Sequence, residues 1–372
     1  MSTLSRADRA FCKALPKVEL HAHFTGSISR QTLHEIWKRK KDAGELEGEN
    51  ALEDPLVSLP PAGDGINITT FFPLFTHNLY HLLTTPQDIT TALNSVLQSF
   101  ASDNVIHLEL RTTPRSPSPS LSKEAYIALL LSLIATWNAT PNQSMNVGLI
   151  LSVDRRGTIQ EAQETVALAI GHQGNGVVGV DLCGDPTRGT PSLFAPAFRQ
   201  AKSAGLGVTL HFGEVSGAWV DGELEELLSW EPDRIGHVIH LGEEVKREVR
   251  KQGVGLELCV SCNTLAGMTG GGTGGHHFGE WWVRQEGRDR ERTNAVALST
   301  DDVGIFESEL SNEYALVMEH FGLSRGEVLK LARAAGVMVF GGIEKVQRVL
   351  ERLYWFEHGL EEYAGRPNAT NI

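Results

Sequence analysis

The sequence predicts an α/β protein, a (β/α)8 TIM barrel with extra helices and an insertion after its first strand. Three observations support this fold. Short apolar runs rich in β-branched residues recur eight times, segments with helical patterns separate them, and polar side chains follow the end of strand after strand. A doubly wound open sheet is the alternative, because it shows the same alternation of strands and helices.

The eight runs are apolar on nearly every residue, which is typical of strands buried on both faces of a parallel sheet. Eight such strands within about 300 residues suit a closed barrel. We predict strands at residues 18–23, 105–112, 147–153, 177–182, 207–212, 234–239, 254–260 and 295–300.

The segments between and after the strands predict the additional elements. Residues 38–65 are charged at first and then rich in proline and glycine, so we predict a surface insertion, with a lid as one role open to it. Residues 68–100 have a helical pattern, and amphipathic patterns at 307–340 and 343–358 predict closing helices. The glycines at 270–275 lack the Lys-Ser/Thr of a P-loop, which favours a flexible loop.

We expect one domain over residues 1–372, with 1–15 and 360–372 at its periphery. The formal net charge of −13 repels polyanions, so we expect no nucleic acid polymer as a partner. No apolar run is long enough to cross a bilayer, and the N-terminus lacks a signal-peptide pattern. We therefore expect no membrane association, a cytoplasmic location and a monomeric state.

The four cysteines are too few for a disulfide framework, which favours a reducing compartment. Cys259 and Cys262 form a C-x-x-C pattern, but no second pair accompanies them. The flanking residues GLELCVSC favour a strand entering a turn over a redox or zinc site.

Polar residues that can take part in chemistry follow most of the predicted strands. The C-terminal ends of barrel strands form one shared rim, so side chains far apart in the sequence converge there. The residues at these ends are His21, His23, Arg111, Arg115, Asp154, Asp185, His211, Glu214, His237, Asp301 and Asp302.

His21 and His23 lie two apart on the first strand, so both imidazoles face the barrel interior and can bind one metal ion. His211 can supply a third nitrogen. Of the adjacent Asp301 and Asp302, one can bind the metal while the other holds substrate or caps a helix. Three neutral imidazoles and one carboxylate, with a position left for water, are typical of a catalytic zinc site.

Several segments together carry a resemblance that covers most of the chain. In chain order these are LPKVELHAHFTGSIS, ELRTTPR, VDRRG, GVDLCGDP, HFGE, DRIGH, LELCVSCN, HHFG and STDD. The sequence resembles the adenosine/AMP deaminase family of metal-dependent hydrolases, and within it the adenosine deaminase-like branch of N6-methyl-AMP deaminases. The order and number of these motifs make the resemblance specific.

The resemblance implies one Zn²⁺ per chain, bound by His21, His23, His211 and Asp301. It implies that Glu214 and His237 are catalytic. Glu214 would protonate the purine ring and therefore needs a raised pKa. His237 would orient or deprotonate the attacking water, the alternative being a polar residue that caps the sixth strand. The resemblance also places Asp302 against the purine N7 and the backbone of Gly184 against N3.

The remaining implied substrate contacts concern the ribose and phosphate. Thr25 stands where adenosine deaminases carry an aspartate, and a neutral hydroxyl there, beside Ser27, does not repel a 5′-phosphate as a carboxylate would. The N6-methyl-AMP branch usually has asparagine at this position, so Thr25 departs from that pattern while remaining uncharged. The other implied contacts are His23, Thr112, Thr113, Arg115 and Asp154.

Two positions stay open. Arg115 can offer a cation to a phosphate, but an ion pair of Arg111 or Arg115 with Asp154 or Asp185 on the rim is an equal alternative. A further family contact on the helix after the insertion falls on His77, Tyr80 or His81.

These residues predict deamination of a purine nucleotide, N6-methyl-AMP to IMP and methylamine. A deaminase of free adenosine or adenine is the main alternative. A binding protein without catalytic activity agrees poorly with a complete set of ligands, acid and base.

Overall fold

Eight parallel strands follow one another in chain order and form a barrel, which confirms the predicted (β/α)8 fold. The computed structural model describes residues 4–216, 222–282 and 294–360. The strands are β1 Lys17–His23, β2 Val105–Thr112, β3 Asn146–Asp154, β4 Val177–Cys183, β5 Gly207–Phe212, β6 Arg234–His237, β7 Gly255–Leu258 and β8 Val296–Leu298.

The barrel closes between its first and last strands through the segment that follows β8. The backbone N–H of His23 donates to the carbonyl of Asp301 over 2.9 Å, and the N–H of Asp301 donates to the carbonyl of His21 over 2.8 Å. The closing contact therefore places a carboxylate directly beside two histidines.

Helices surround the barrel and extend beyond it. Ser, Thr, Asp and Asn cap many of their N-termini, and the helix that follows β3 begins with a capping box at Thr158 and Glu161. The helices are α1 Arg6–Ala14, α2 Arg30–Asp42, α3 Pro55–Ser58, α4 Ile68–Leu74, α5 Tyr80–Leu82, α6 Pro86–Ser102, α7 Lys123–Ala139, α8 Ile159–Gly171, α9 Ala195–Ser203, α10 Glu223–Ser229, α11 Glu243–Gln252, α12 Val260–Leu265, α13 Phe278–Trp281, α14 Val303–Phe306, α15 Leu310–Phe321, α16 Arg325–Gly336 and α17 Ile343–Glu357. Within the described ranges, none of these helices has the length and apolar character that crossing a bilayer requires.

Three strands end earlier than predicted, and backbone conformation explains why. The predicted strand 234–239 stops at His237, because His237 and Val238 adopt left-handed φ values of 67° and 51°. The predicted strand 254–260 stops at Leu258, after which Cys259 caps α12. The predicted strand 295–300 stops at Leu298, ahead of Asp301, whose φ is 61°.

The N-terminal segment and the insertion contain short helical elements. Cys12 and Leu15 are buried, whereas the other side chains of residues 4–15 are exposed or half-buried, so only these two positions of the segment join the packed core. Residues 38–65 contain the end of α2, α3 and two short 3-10 turns at Gly48–Asn50 and Pro61–Gly63. The glycine-rich 270–275 ends in another 3-10 turn, Thr273–Gly275, and residues 361–372 lie outside the described part of the chain.

The barrel interior contains a ladder of buried ion pairs as well as apolar side chains. Arg234 contacts Glu109 at 2.6 Å and Glu257 at 2.7 Å. Arg111 contacts Glu257 at 2.9 Å and Asp181 at 3.2 Å. All five side chains are buried, so each charge depends on its partners for compensation. This ladder reaches the C-terminal rim of the barrel.

Candidate metal centre and active site

Four side chains meet at the C-terminal end of the barrel, as the spacing argument predicted. The Nε2 atoms of His21 and His211 are 3.2 Å apart, and those of His23 and His211 are 3.1 Å apart. Asp301 places Oδ1 3.4 Å from Nε2 of both His21 and His23. One donor atom from each residue lies within 4.8 Å of every other, which is the arrangement that one cation requires.

Carboxylates behind the histidines fix the orientation of two imidazole rings. Nδ1 of His21 donates to Glu257 over 2.7 Å. Nδ1 of His211 lies 3.1 Å from Asp181 and 3.0 Å from the carbonyl of Leu182. Each ring therefore directs its Nε2 lone pair at the cluster, the arrangement found behind zinc ligands.

Protonation states also suit a metal. Burial lowers the pKa of His23 to about 3, so its imidazole is neutral. Burial acts to raise the pKa of Asp301, but hydrogen bonding to His21 and the adjacent imidazoles lower it well below its usual range. The neutral imidazole of His23 and the ionised carboxylate of Asp301 are donors that fit zinc. For His21, burial and Arg111 act to lower the pKa, but hydrogen bonds to Asp301 and Glu257 raise it overall.

Glu214 follows β5 beyond a glycine turn and lies close to the cluster. Burial, opposed by His211 and reinforced by Asp301, raises its pKa to about 7. A carboxyl group with such a pKa carries a proton in a substantial fraction of molecules near neutral pH. Glu214 therefore has the protonation state that a proton donor needs.

His237 ends β6 and faces the same space. Its Nε2 is 3.8 Å from Oε1 of Glu214 and 3.9 Å from Oδ2 of Asp301, and this buried atom has no hydrogen-bond partner among the described residues. Burial lowers its pKa well below the usual range. His237 and Asp301 both adopt left-handed backbone conformations, a strain that is common at functional sites. The unpartnered nitrogen leaves a polar position that a water molecule would fill.

Two glycines allow acidic side chains to approach the cavity. A Cβ on Gly26 would lie 1.5 Å from Oδ1 of Asp302, so only glycine leaves room for that carboxyl group. Gly184 has a φ of +99°, and a Cβ there would lie 2.4 Å from Oδ1 of Asp154. Burial and the neighbouring Asp301 raise the pKa of Asp302 well above its usual range, which favours the protonated acid and hence a hydrogen-bond donor.

These residues open into a cavity that is connected to solvent, with about 800 Å³ of open space. It is lined by His23, Thr25, Phe71, Phe72, Phe75, Thr76, Tyr80, Arg111, Thr112, Thr113, Arg115, Asp154, Arg156, Cys183, Gly184, His211, Glu214, Asp301 and Asp302. Most of the substrate contacts expected from the sequence are in this lining. Ser27 is not: it is buried, and its hydroxyl has no hydrogen-bond partner in the described structure.

The arginines form neither of the rim ion pairs considered from the sequence, and Arg115 lines the cavity, the place expected of a substrate contact. Arg111 pairs with the interior acids rather than with Asp154 or Asp185, because β2 directs its side chain into the barrel. Arg115 donates to the carbonyl of Leu83 over 3.0 Å and packs against aromatic rings, so it forms neither expected rim pair.

Arg156 is the cavity-lining cation that sequence reasoning missed. Its Nε donates to Oδ1 of Asp154 over 2.8 Å, and its guanidinium lies 5.3 Å from the ring centroid of Phe72. Unlike Arg111, it remains about one-third exposed. The signal was present in VDRRG, where two arginines follow the aspartate at a strand end.

An aromatic wall closes one side of the cavity and was also missed. Phe71, Phe72 and Phe75 come from α4 and the π-helical turn Phe75–Leu79 that continues it. The cavity wall thus comes from residues after the 38–65 insertion. Three residues were alternatives for one family contact on this helix. Tyr80 lines the cavity, His81 is exposed, and the side chain of His77 lies outside the described residues. The run FFPLF was the available signal.

The C-x-x-C cysteines lie beneath the site as free thiols. Sγ of Cys262 is 3.0 Å from Oδ2 of Asp301, and Cys259 is close enough to His237 and Asp301 to share a cation with them. Burial raises the pKa of both thiols well above the usual range. A thiol that stays protonated is a poor metal ligand.

Comparison with known proteins identifies the family to which this chain belongs. The protein-family model described as adenosine deaminase matches residues 16–355 of the sequence. An N6-mAMP deaminase from Arabidopsis thaliana is 34% identical over 362 residues, covering 91% of this chain and 96% of that protein. The N6-methyl-AMP deaminase of Homo sapiens is 34% identical over 333 residues, covering 87% and 88%. The solved structure of Arabidopsis ADAL complexed with IMP has a TM-score of 0.81 at 32% identity, covering 95% of this chain and 99% of that one. This chain belongs to the adenosine deaminase family.

Proposed function

We propose that this protein hydrolyses N6-methyl-AMP to IMP and methylamine. The observation that carries the proposal is the position of Glu214, a buried acid with a raised pKa, beside four converging metal ligands in one cavity. The names of the Arabidopsis and human relatives and the IMP bound to the Arabidopsis structure support the same substrate class.

The chemistry divides among the residues of the cavity. One zinc ion per chain, held by His21, His23, His211 and Asp301, would lower the pKa of water towards neutrality. Glu214 donates its proton to the purine ring nitrogen, so that water adds at C6 without negative charge accumulating on the ring. The C6–N bond then breaks: one proton from the water goes to the leaving nitrogen, which departs as methylamine, the other restores the acid form of Glu214, and the oxygen remains on the purine.

Other residues hold the base in place for this step. Asp302 donates a hydrogen bond to N7 of the purine in its protonated form, which its raised pKa favours. The backbone N–H of Gly184 donates to N3. His237 contacts the attacking water through its unpartnered Nε2.

A nucleotide is favoured over a nucleoside by charge at the cavity. Thr25 contributes no negative charge that would repel a phosphate, and Arg156 supplies a partly exposed guanidinium. A guanidinium can bind a phosphate through two parallel hydrogen bonds. Arg115 already donates to the carbonyl of Leu83 and packs against aromatic rings, so Arg156 is our candidate for the 5′-phosphate contact. Asp154 holds Arg156 in position before substrate arrives.

The test is a panel of AMP, N6-methyl-AMP, adenosine and N6-methyladenosine assayed with zinc-loaded enzyme. We expect the highest kcat/KM with N6-methyl-AMP, and equal or better turnover of the nucleosides would reject the nucleotide assignment. Glu214→Gln should lower kcat by about 100-fold or more, since general acid catalysis contributes that much, while metal content stays unchanged. We further propose that the enzyme acts as a cytoplasmic monomer, which sedimentation and fractionation would check.

A further inference from the structure

A series of hydrogen bonds lies behind His237, and in the first of them the donor is known with certainty. The backbone N–H of Phe278 donates to Nδ1 of His276 over 3.0 Å. A backbone N–H is always a donor, so Nδ1 of His276 accepts. Burial lowers the pKa of His276 to about 2, so the ring is neutral and its one proton is on Nε2.

The next two bonds follow from this assignment. Nε2 of His276 lies 3.3 Å from Oδ1 of Asn263, and because Nε2 carries the proton, only the amide oxygen can face it. The amide nitrogen of Asn263 must then face Nδ1 of His237, at 3.0 Å. A flipped amide would set two donors against each other at His276, so the hydrogen bonds allow only one orientation.

These bonds also determine which nitrogen of His237 carries the proton. Nδ1 of His237 accepts from Asn263, which excludes a proton on that atom and excludes the imidazolium form. Its proton is on Nε2, the buried atom that lacks a partner and faces the space between Glu214 and Asp301. His237 thus presents an N–H rather than a lone pair to the reaction.

We infer that Asn263 and His276 are positioning residues that hold His237 as a hydrogen-bond donor to the attacking water. This rests on the proposed function and chooses between the two roles considered for His237: it orients the water and takes no proton from it. A preorganised donor facing developing negative charge stabilises a transition state. All three side chains are nearly inaccessible to solvent, so no bulk water competes for these bonds.

The tautomer can be measured directly in zinc-loaded enzyme labelled with ¹⁵N-histidine. We expect a pyrrole-type Nε2 and a pyridine-type Nδ1 for His237, with the signals assigned by their loss in His237→Gln. Asn263→Asp has the same shape but offers an acceptor to Nδ1. It should move the proton to Nδ1 and lower kcat by about 100-fold, as the loss of one preorganised donor does elsewhere.

A matched pair of variants separates positioning from packing. His276→Gln keeps an amide N–H that can donate to Asn263, whereas His276→Leu has no polar group at this position. We expect glutamine to retain the wild-type tautomer and most of kcat, and leucine to retain neither. A proton on Nδ1 in the wild type, or an unchanged tautomer in Asn263→Asp, would overturn the inference. Absence of N6-methyl-AMP turnover with Nε2 protonated would instead defeat the proposed function alone.

Discussion

Glu313 on α15 should make the enzyme less stable as pH rises, and Glu313→Gln should remove that loss. The side chain is fully buried and accepts from the backbone N–H of Ser261 over 2.9 Å and from the hydroxyl of Ser308 over 2.6 Å. Burial raises its pKa from 4.5 to about 7. Glutamine has nearly the same shape, so its oxygen can face Ser261 and its nitrogen can donate to Ser308.

The pKa difference sets the sign and size of the effect. Because the folded-state pKa is the higher one, the folded protein binds more protons than the unfolded chain between pH 4.5 and about 7. The stability associated with the protonated Glu313 is complete below pH 4.5 and is lost as pH rises through 7. At about 1.4 kcal/mol per pKa unit, the loss is roughly 3 kcal/mol by pH 8.

Urea denaturation of wild type and Glu313→Gln at pH 5 and pH 8, at fixed zinc concentration, measures this difference. We expect similar free energies of unfolding near pH 5 and a variant more stable by about 2–3 kcal/mol at pH 8. Glu351→Gln, an exposed position on α17, is the control and should show no such divergence. A difference between Glu313→Gln and wild type that does not change with pH would refute the reasoning.

Three further predictions concern the site. Arg156→Gln should lower kcat/KM for N6-methyl-AMP by about 10–100-fold, the effect of losing one charged hydrogen bond, and should leave kcat/KM for N6-methyladenosine unchanged. Arg188→Gln is the control at a neighbouring position. Equal losses for both substrates would count against a phosphate contact. Asp181→Asn should weaken zinc binding by about 10–100-fold in chelator competition, because it alters the group that orients one ligand; unchanged affinity would show that Leu182 alone suffices. Gly26→Ala should displace Asp302 and lower kcat/KM by about 100-fold with zinc retained, whereas normal kinetics would mean that the side chain moves without cost.

The barrel fold and the metal ligands could be predicted from the sequence, because both depend on local residue patterns and on one geometric rule. Alternation along a strand directs His21 and His23 to the same face, and the rule that strand ends share a rim brings His211 and Asp301 to them. No knowledge of loop conformation was needed.

Features that depend on packing between elements could not be read from the sequence in the same way. Arg111 lies at the end of β2 and Arg156 follows β3, but only the three-dimensional structure shows that Arg111 is fully buried among acids and that Arg156 is partly exposed at the cavity. The ends of β6 and β8 were misplaced because His237 and Asp301 adopt left-handed conformations, which are uncommon for residues other than glycine and which a strand pattern does not reveal. Such strain is maintained by the surrounding structure.

The charge of the buried barrel interior supports a bound cation independently of the ligand geometry. Arg111 and Arg234 contribute two positive charges. Four buried carboxyl groups have lowered pKa values and are ionised: Glu109, Asp181, Glu257 and Asp301. Burial raises the pKa of the neighbouring Glu19 and Asp302. The ladder and Asp301 together thus hold four ionised carboxyl groups against two guanidinium groups, in an environment where unpaired charge is costly. A cation held by His21, His23, His211 and Asp301 would offset this excess of negative charge.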